Sequence, residues 1–157
     1  MRREYFYAMK NVENSAVHDI IIMNISQEVM VVHLIGRLDK NIYKCVTDDI
    51  VTDEVVITAK QIEHIQERHL NAFDKYEQYL EEIVRDPDYI IESPKPNTAI
   101  VLKEIVTDDD KRFKTIVRLI TSADDPTYKN SIITFMRISE KDWNRILRNK
   151  NILYKRD

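Results

Sequence analysis

Ala99-Ile100-Val101-Leu102-Lys103-Glu104-Ile105-Val106, then Thr107-Asp108-Asp109-Asp110-Lys111, then Arg112-Phe113-Lys114-Thr115-Ile116-Val117-Arg118-Leu119-Ile120-Thr121 is the stretch that decides the fold. Two runs rich in β-branched and aliphatic residues flank five polar ones, the pattern of an antiparallel hairpin with a loop of moderate length. After a second loop, Ser122 to Thr127, a third run from Ser131 to Ile138 extends the hairpin into a three-stranded meander. Pairing the hairpin by symmetry about its turn sets Lys103 opposite Thr115 and Ile100 near Arg118.

Upstream of the meander the period changes. Thr58 is a good N-cap, with Gln61 three residues on in the capping-box position, so a helix is expected from about Ala59 to His69. A second helix, Ala72 to Arg85, carries Phe73, Tyr76, Leu80, Ile83 and Val84 at helical spacing and stops before Pro87. Downstream, Ser139 caps a short helix through Trp143, Ile146 and Leu147, with Glu140 and Asp142 in the first turn, where the helix dipole favours acids. A brief strand, Ile152 to Tyr154, is placed at an edge of the sheet. Nearer the start, Glu28 to Leu38 reads as a strand ending close to the lone Gly36, and Ile50 to Ile57 as a looser β-like stretch. Val17 to Ile25 is β-like without a clear period. Helices followed by an antiparallel meander predict an α+β fold, with N-terminal helices packed on one face of an antiparallel β-sheet. Residues 1–30 are an N-terminal extension that either precedes or joins the domain spanning 31–157.

Composition removes several functions. With one glycine in 157 residues there is no phosphate loop and no dinucleotide fingerprint, because both need glycines where the backbone approaches phosphate. The single Cys45 excludes an internal disulfide framework and the usual zinc spacings, and fits a reducing cytoplasm. No cofactor or metal is expected. No apolar run approaches the roughly 20 residues that cross a bilayer, so no membrane association is expected either. A net charge of −3 means that any nucleic-acid site must be local, and the cations gathered between Arg137 and Arg156 offer one basic face.

The residues that carry chemistry cluster in His64-Ile65-Gln66-Glu67-Arg68-His69. On a helix, Gln61, His64 and Arg68 share one stripe, and Ile62, Ile65 and His69 another. His64 beside Arg68 puts a group that exchanges protons near neutral pH next to one that grips phosphate with two parallel bonds. His69 sits where the helix ends and can be re-aimed there. Plainer readings stay open: His69 packs on the apolar stripe, and Arg68 pairs with Glu67 or with acids of the second helix. Metal-free RNA cleavage needs a base for the ribose 2′-hydroxyl, an acid for the leaving oxygen and cations for the phosphorane, all of which such side chains supply.

The order Ile57-Thr58, His64-Ile65, Arg68-His69, Pro87-Asp88-Tyr89-Ile90-Ile91, Lys95-Pro96-Asn97-Thr98-Ala99, Lys129-Asn130-Ser131-Ile132-Ile133-Thr134-Phe135 and Ile152-Leu153-Tyr154 resembles the phage nucleases grouped with barnase, EndoU, colicin and RelE-type ribonucleases. The resemblance covers roughly residues 33 to 155. It implies helices followed by a four-stranded antiparallel sheet, with the active site on the exposed sheet face against the helices. It also implies a metal-independent endoribonuclease of phage or mobile-element origin, acting in the cytoplasm as a toxin or an anti-defence effector.

Carried over residue by residue, the resemblance makes His64, Arg68 and His69 acid, phosphate clamp and base in an open order. Ser131 and Thr134 of the late strand join them as catalytic candidates. On a regular strand those two face opposite sides, so both line one site only if Ser131 sits at an irregular beginning. Lys95, Asn97 and Thr98 hold phosphate or base edges, or else simply shape a proline-rich turn. Lys103 and Arg118, cations on interior strands, mark an open face where RNA lies, or a merely solvated one. Tyr128 and Lys129 offer base stacking and phosphate contact, while Trp143 anchors the last helix. The partners implied are RNA, transfer RNA among the candidates, and a protein partner such as an immunity protein; the oligomeric state stays open. A different class of function fits the same scaffold: a catalytically silent binding module or inhibitor, such as an anti-CRISPR.

Overall fold

The computed structural model describes residues 5–8, 19–25, 28–69 and 72–157, with side chains from Val31 onward except at 70–72. The described chain runs β1 (Tyr5–Ala8), β2 (Asp19–Ile25), β3 (Glu28–Arg37), α1 (Lys40–Tyr43), β4 (Glu54–Thr58), α2 (Ala59–Arg68) and α3 (Ala72–Tyr76). It continues through a 3-10 turn (Glu77–Tyr79), α4 (Leu80–Arg85), β5 (Tyr89–Glu92), β6 (Thr98–Ile105), β7 (Lys111–Arg118), β8 (Asn130–Ile138), α5 (Glu140–Asn149) and β9 (Ile152–Lys155). The fold is α+β, as the sequence pattern implies.

The strands form one sheet in the order β1-β2-β3-β4-β8-β7-β6-β5-β9. Every pairing among the described strands is antiparallel except that of β4 with β8, which is parallel. The meander is β6, β7 and β8, but its register differs by two residues from the symmetric pairing. Lys103 faces Phe113 and Arg118 faces Thr98, because the turn closes at Ile105 and Lys111, one residue earlier than the sequence suggests. The sheet also exceeds the four strands of the family pattern. Of the N-terminal extension, residues 1–4, 9–18 and 26–27 lie outside the described residues, so the expected strand from Val17 is seen only as β2. β3 runs across position 30.

Alternation sorts the side chains into two layers. Val55, Ile57, Val101, Phe113, Val117, Ile132 and Phe135 point to one face and form the main core with Ile65 of α2, Tyr76 of α3 and Leu80, Ile83 and Val84 of α4. Fully burying each such side chain stabilises the fold by roughly 1.5 to 3 kcal/mol. Aromatic rings dominate its centre, with Phe113 stacked on Phe135 at 5.4 Å and Tyr76 edge-on to Phe113 at 5.2 Å. The expected helix from Ala72 to Arg85 is interrupted by the 3-10 turn. In the tighter winding of a 3-10 turn, residues three apart come to lie over one another. Both Tyr76 and Tyr79 thereby reach Phe113, at 5.2 and 5.7 Å. On the opposite face α5 lays Trp143 over Ile91 and Leu102 in a separate cluster. Helices therefore cover both faces, α1 to α4 on one and α5 on part of the other.

Two close fits fix the first half of the sheet. Gly36 sits beside an irregularity between β3 and β4, where a Cβ would lie 2.9 Å from Cγ of Glu81 on α4. Asn130, fully buried, opens β8. Its side-chain amide donates to the carbonyls of Thr52 (2.7 Å) and Glu54 (3.0 Å), and its side-chain oxygen accepts the Ile120 N–H at 2.8 Å. No described helix is long and apolar enough to cross a membrane.

Asn130→Ala leaves one buried and two part-buried backbone groups without their partner and should destabilise the protein by about 3 kcal/mol. Urea unfolding reads this as a lower midpoint with unchanged slope, and a loss under about 1 kcal/mol would contradict the role given to this amide. A second expectation concerns pH. Burial lowers the pKa of His33 on β3 below its ordinary 6.5. The unfolded chain then takes up the proton first, so this contribution is complete above pH 6.5 and is lost as pH falls toward the depressed folded value. Thermal unfolding of wild type should weaken across that range relative to His33→Leu; parallel curves would refute it.

Candidate functional site

β4 pairs with β8 only at Val55 with Asn130 and Val56 with Ser131, and it ends at Thr58. There the chain passes directly into α2, started by the Thr58 hydroxyl, which accepts the Gln61 N–H at 3.0 Å. The helix thus takes over where β4 stops and packs against β8, β3 and β4. Ile65 is its anchor, in the same core as Ile132 and Phe135. In this way the helix motif and the late strand, far apart in sequence, become neighbours.

On α2 the side chain of Gln66 bonds Asp74 of α3 at 3.3 Å. The helical period sets His64 and Arg68 on the other flank. His64 is half-buried and Arg68 exposed. His69 is the C-cap: its N–H still reaches the Ile65 carbonyl at 2.8 Å, but φ −129° and ψ 80° turn it off the helix. Its direction is therefore set by the helix end, as the wheel required. Among the described residues, none hydrogen-bonds or ion-pairs with these three side chains.

The irregularity on β8 falls between its two hydroxyl candidates. Val117 faces Ile132 and Ile116 faces Thr134, so Ile133 is an extra residue, a bulge. Ile132 and Phe135 point into the core. Alternation on either side of the bulge then turns Ser131 and Thr134 to the same, opposite face. The irregularity that a shared site needs lies inside the strand and not at its beginning.

That face gathers cations. Lys114, Ile116 and Arg118 alternate with the core-facing Phe113, Thr115 and Val117, and Thr98, Arg118, Ser131 and Val56 form one continuous rung across four strands. Arg118 bonds the carbonyl of Leu119 and pairs with Asp124 at 3.0 Å. The Thr121 N–H, at 2.8 Å, holds the Asp124 carboxyl below its ordinary pKa; its partial burial acts against this and Arg118 adds to it. Asp124 is thus a fixed anion that orients the guanidinium. On the next rung Lys129 pairs with Glu54, and Arg37 lies 2.8 Å from Asp53 and 3.7 Å from Glu54.

The remaining candidates divide. Tyr128 is exposed beside Lys129. Lys95 is exposed in the turn before β6. Asn97 adopts φ 53° and its carbonyl accepts the Leu119 N–H at 2.8 Å, while the buried Thr98 hydroxyl donates to the Pro96 carbonyl at 3.0 Å. Both shape the turn. Lys103 departs from the open face expected for it. It is only 2% exposed, points into the helix-covered side, and pairs with Asp86 (3.1 Å) and Asp88 (3.5 Å), which also hold Arg156. The two-residue change in register turned no side chain over. Instead, carboxylates from the α4–β5 connection meet this cation at the end of the covered face. Glu54, Asp124 and Asn130 belong to the site's frame and carry no local signal in the sequence. Among the described residues no three His, Cys, Asp or Glu side chains are grouped to hold a metal ion.

Arg118→Ala should release Asp124 and loosen the loop after β7. Loss of a charge-assisted hydrogen bond corresponds to about tenfold faster amide exchange at Thr121 to Asp124. Unchanged exchange would mean that the pair is ornamental.

The model of a family described as phage-Barnase-EndoU-ColicinE5/D-RelE like nuclease2 matches residues 30–155. Neither the curated proteins nor the solved structures gave a match. The match runs from β3 through β9 and includes every strand and helix that frames the site, so the chain belongs to this family of phage barnase, EndoU, colicin and RelE-like nucleases.

Proposed function

We propose that the protein is a metal-independent endoribonuclease that cleaves by attack of the ribose 2′-hydroxyl on the adjacent phosphate. The reading rests on the family match over residues 30–155 and on the bulge at Ile133, which turns Ser131 and Thr134 beside Arg118 to the sheet face away from the main core, while α2, whose Ile65 enters that core, flanks the same strand where β4 ends. Together these elements carry two imidazoles, two guanidiniums and two hydroxyls.

The chemistry follows from those groups. One imidazole, of His64 or His69, removes the 2′-hydroxyl proton; the oxygen attacks phosphorus, and the other imidazole returns a proton to the departing 5′-oxygen. Arg68 and Arg118 stabilise the added negative charge of the phosphorane, and the hydroxyls of Ser131 and Thr134 donate to its oxygens. The products are a 2′,3′-cyclic phosphate and a free 5′-hydroxyl. DNA lacks the nucleophile and is not cut by this route. Structured host RNA, transfer RNA in particular, is the substrate class proposed, which makes the enzyme a toxin or an effector against host defence, acting in the host cytoplasm. An immunity protein covering the same face would be its natural restraint.

Purified protein incubated with total and transfer RNA in chelator should release fragments with cyclic phosphate ends. His64→Ala, His69→Ala, Arg68→Ala and Ser131→Ala should each lower the rate, the imidazole variants by roughly a hundredfold, with unfolding midpoints close to wild type. No cutting at stoichiometric enzyme, or full activity in both histidine variants, would overturn the proposal.

A further inference from the structure

At the end of β8 nearest Ser131 the surface opens into a cleft of about 450 Å³ between the loop before β4 and the loop after β7. Its lining includes Val51, Ser122, Asp124, Pro126, Tyr128 and Lys129. Tyr128 and Val51 are 38% and 46% exposed, two of the few large apolar side chains left open to solvent among the described residues, and both line this cleft. Val51, Pro126 and the Tyr128 ring give a cleft otherwise lined by polar groups one apolar part, and an open slot of this mixed kind suits a flat, partly apolar ring with a polar edge.

The walls are braced before anything enters. Asn130 ties the Thr52 carbonyl of one loop and the Glu54 carbonyl at the start of β4 to the Ile120 N–H of the other loop. The Val51 N–H donates to the Ile120 carbonyl at 3.1 Å, and Ser122 donates through both its N–H (3.1 Å) and its hydroxyl (2.5 Å) to Asp49. A cleft held this way binds without paying to order its loops. Its carboxylates, Asp124 in the lining and Asp49 behind Ser122, argue against a phosphate as occupant. They instead favour a neutral group with hydrogen-bond donors on its edge.

We propose that this cleft is the base-recognition subsite of the enzyme: it takes the nucleobase next to the cleaved phosphate, stacked on the Tyr128 ring, with its polar edge toward Ser122 and Asp124. Lys129 bridges the two sites, since it lines the cleft and precedes Ser131 by two residues on the same face, about 7 Å along the strand. The assignment rests on the ribonuclease reading for its biology, yet its test does not require cleavage.

The four nucleoside 3′-monophosphates, and inorganic phosphate as control, are titrated into the protein while backbone amides are followed by NMR. Amides of Val51, Thr52, Ser122 and Tyr128 should shift with at least one nucleotide and not with phosphate. Tyr128→Ala should weaken that binding about tenfold, as loss of one base stack does, and Tyr128→Phe should preserve it. Shifts elsewhere only, equal shifts with inorganic phosphate, or wild-type affinity in Tyr128→Ala would each overturn the assignment. Failure to cut RNA would sink the ribonuclease reading and leave this titration standing.

Discussion

The parallel contact between β4 and β8 is the joint on which the rest of the molecule depends. Only two residue pairs make it, Val55 with Asn130 and Val56 with Ser131, yet it joins β1 to β4 with the remaining five strands in one sheet. So short a ladder is weak by itself, and the buried amide of Asn130 reinforces it by occupying three backbone groups, of Thr52, of Glu54 at the start of β4 and of Ile120. Because the Ile120 N–H is buried and the two carbonyls partly so, leaving them unpaired costs more than the bonds themselves contribute. β4 runs only two residues beyond this joint, to Thr58, and there α2 comes down beside β8. The contact that closes the sheet is therefore also the one beside which the candidate helix and the candidate strand meet.

The site's electrostatics follow the same economy. An acidic chain of net charge −3 does not attract a polyanion as a whole, so any such site depends on cations concentrated locally. Arg118 is aimed by Asp124, itself kept ionised chiefly by the Thr121 N–H, and Lys129 is matched by Glu54. Lys103 goes the other way. Its ammonium is taken out of solvent by Asp86 and Asp88, which also draw in Arg156 and so tie the end of the chain to β5 and β6. Of these two cations, Arg118 lies on the face away from the main core and Lys103 belongs to the frame.

Local rules made much of this legible. The Thr58 cap, the Ser139 cap, the meander and the terminal strand all follow from residues within a few positions of one another, and the structure places each where those rules put it. What escaped depends on partners far away in sequence. The Asn130 amide meets a carbonyl 76 positions away, and nothing near Glu54 announces Lys129. The two-residue shift in the hairpin arises because the turn is centred on Asp108, one residue earlier than its polar loop suggests. The bulge at Ile133 is invisible because a bulged and a regular strand share the same composition. The break in the second helix arises from two tyrosines reaching one phenylalanine, a tertiary demand that overrides helical spacing.

The central claim is that the imidazoles of α2 and the hydroxyls of β8 act on a single phosphate. A double-mutant cycle on metal-free RNA cleavage with His64→Ala and Ser131→Ala tests it most directly. Groups that work as one unit give losses that do not multiply, so the double variant should be little slower than the worse single variant. Losses that multiply fully would show two independent contributions and contradict a shared site, as would cleavage that neither substitution slows.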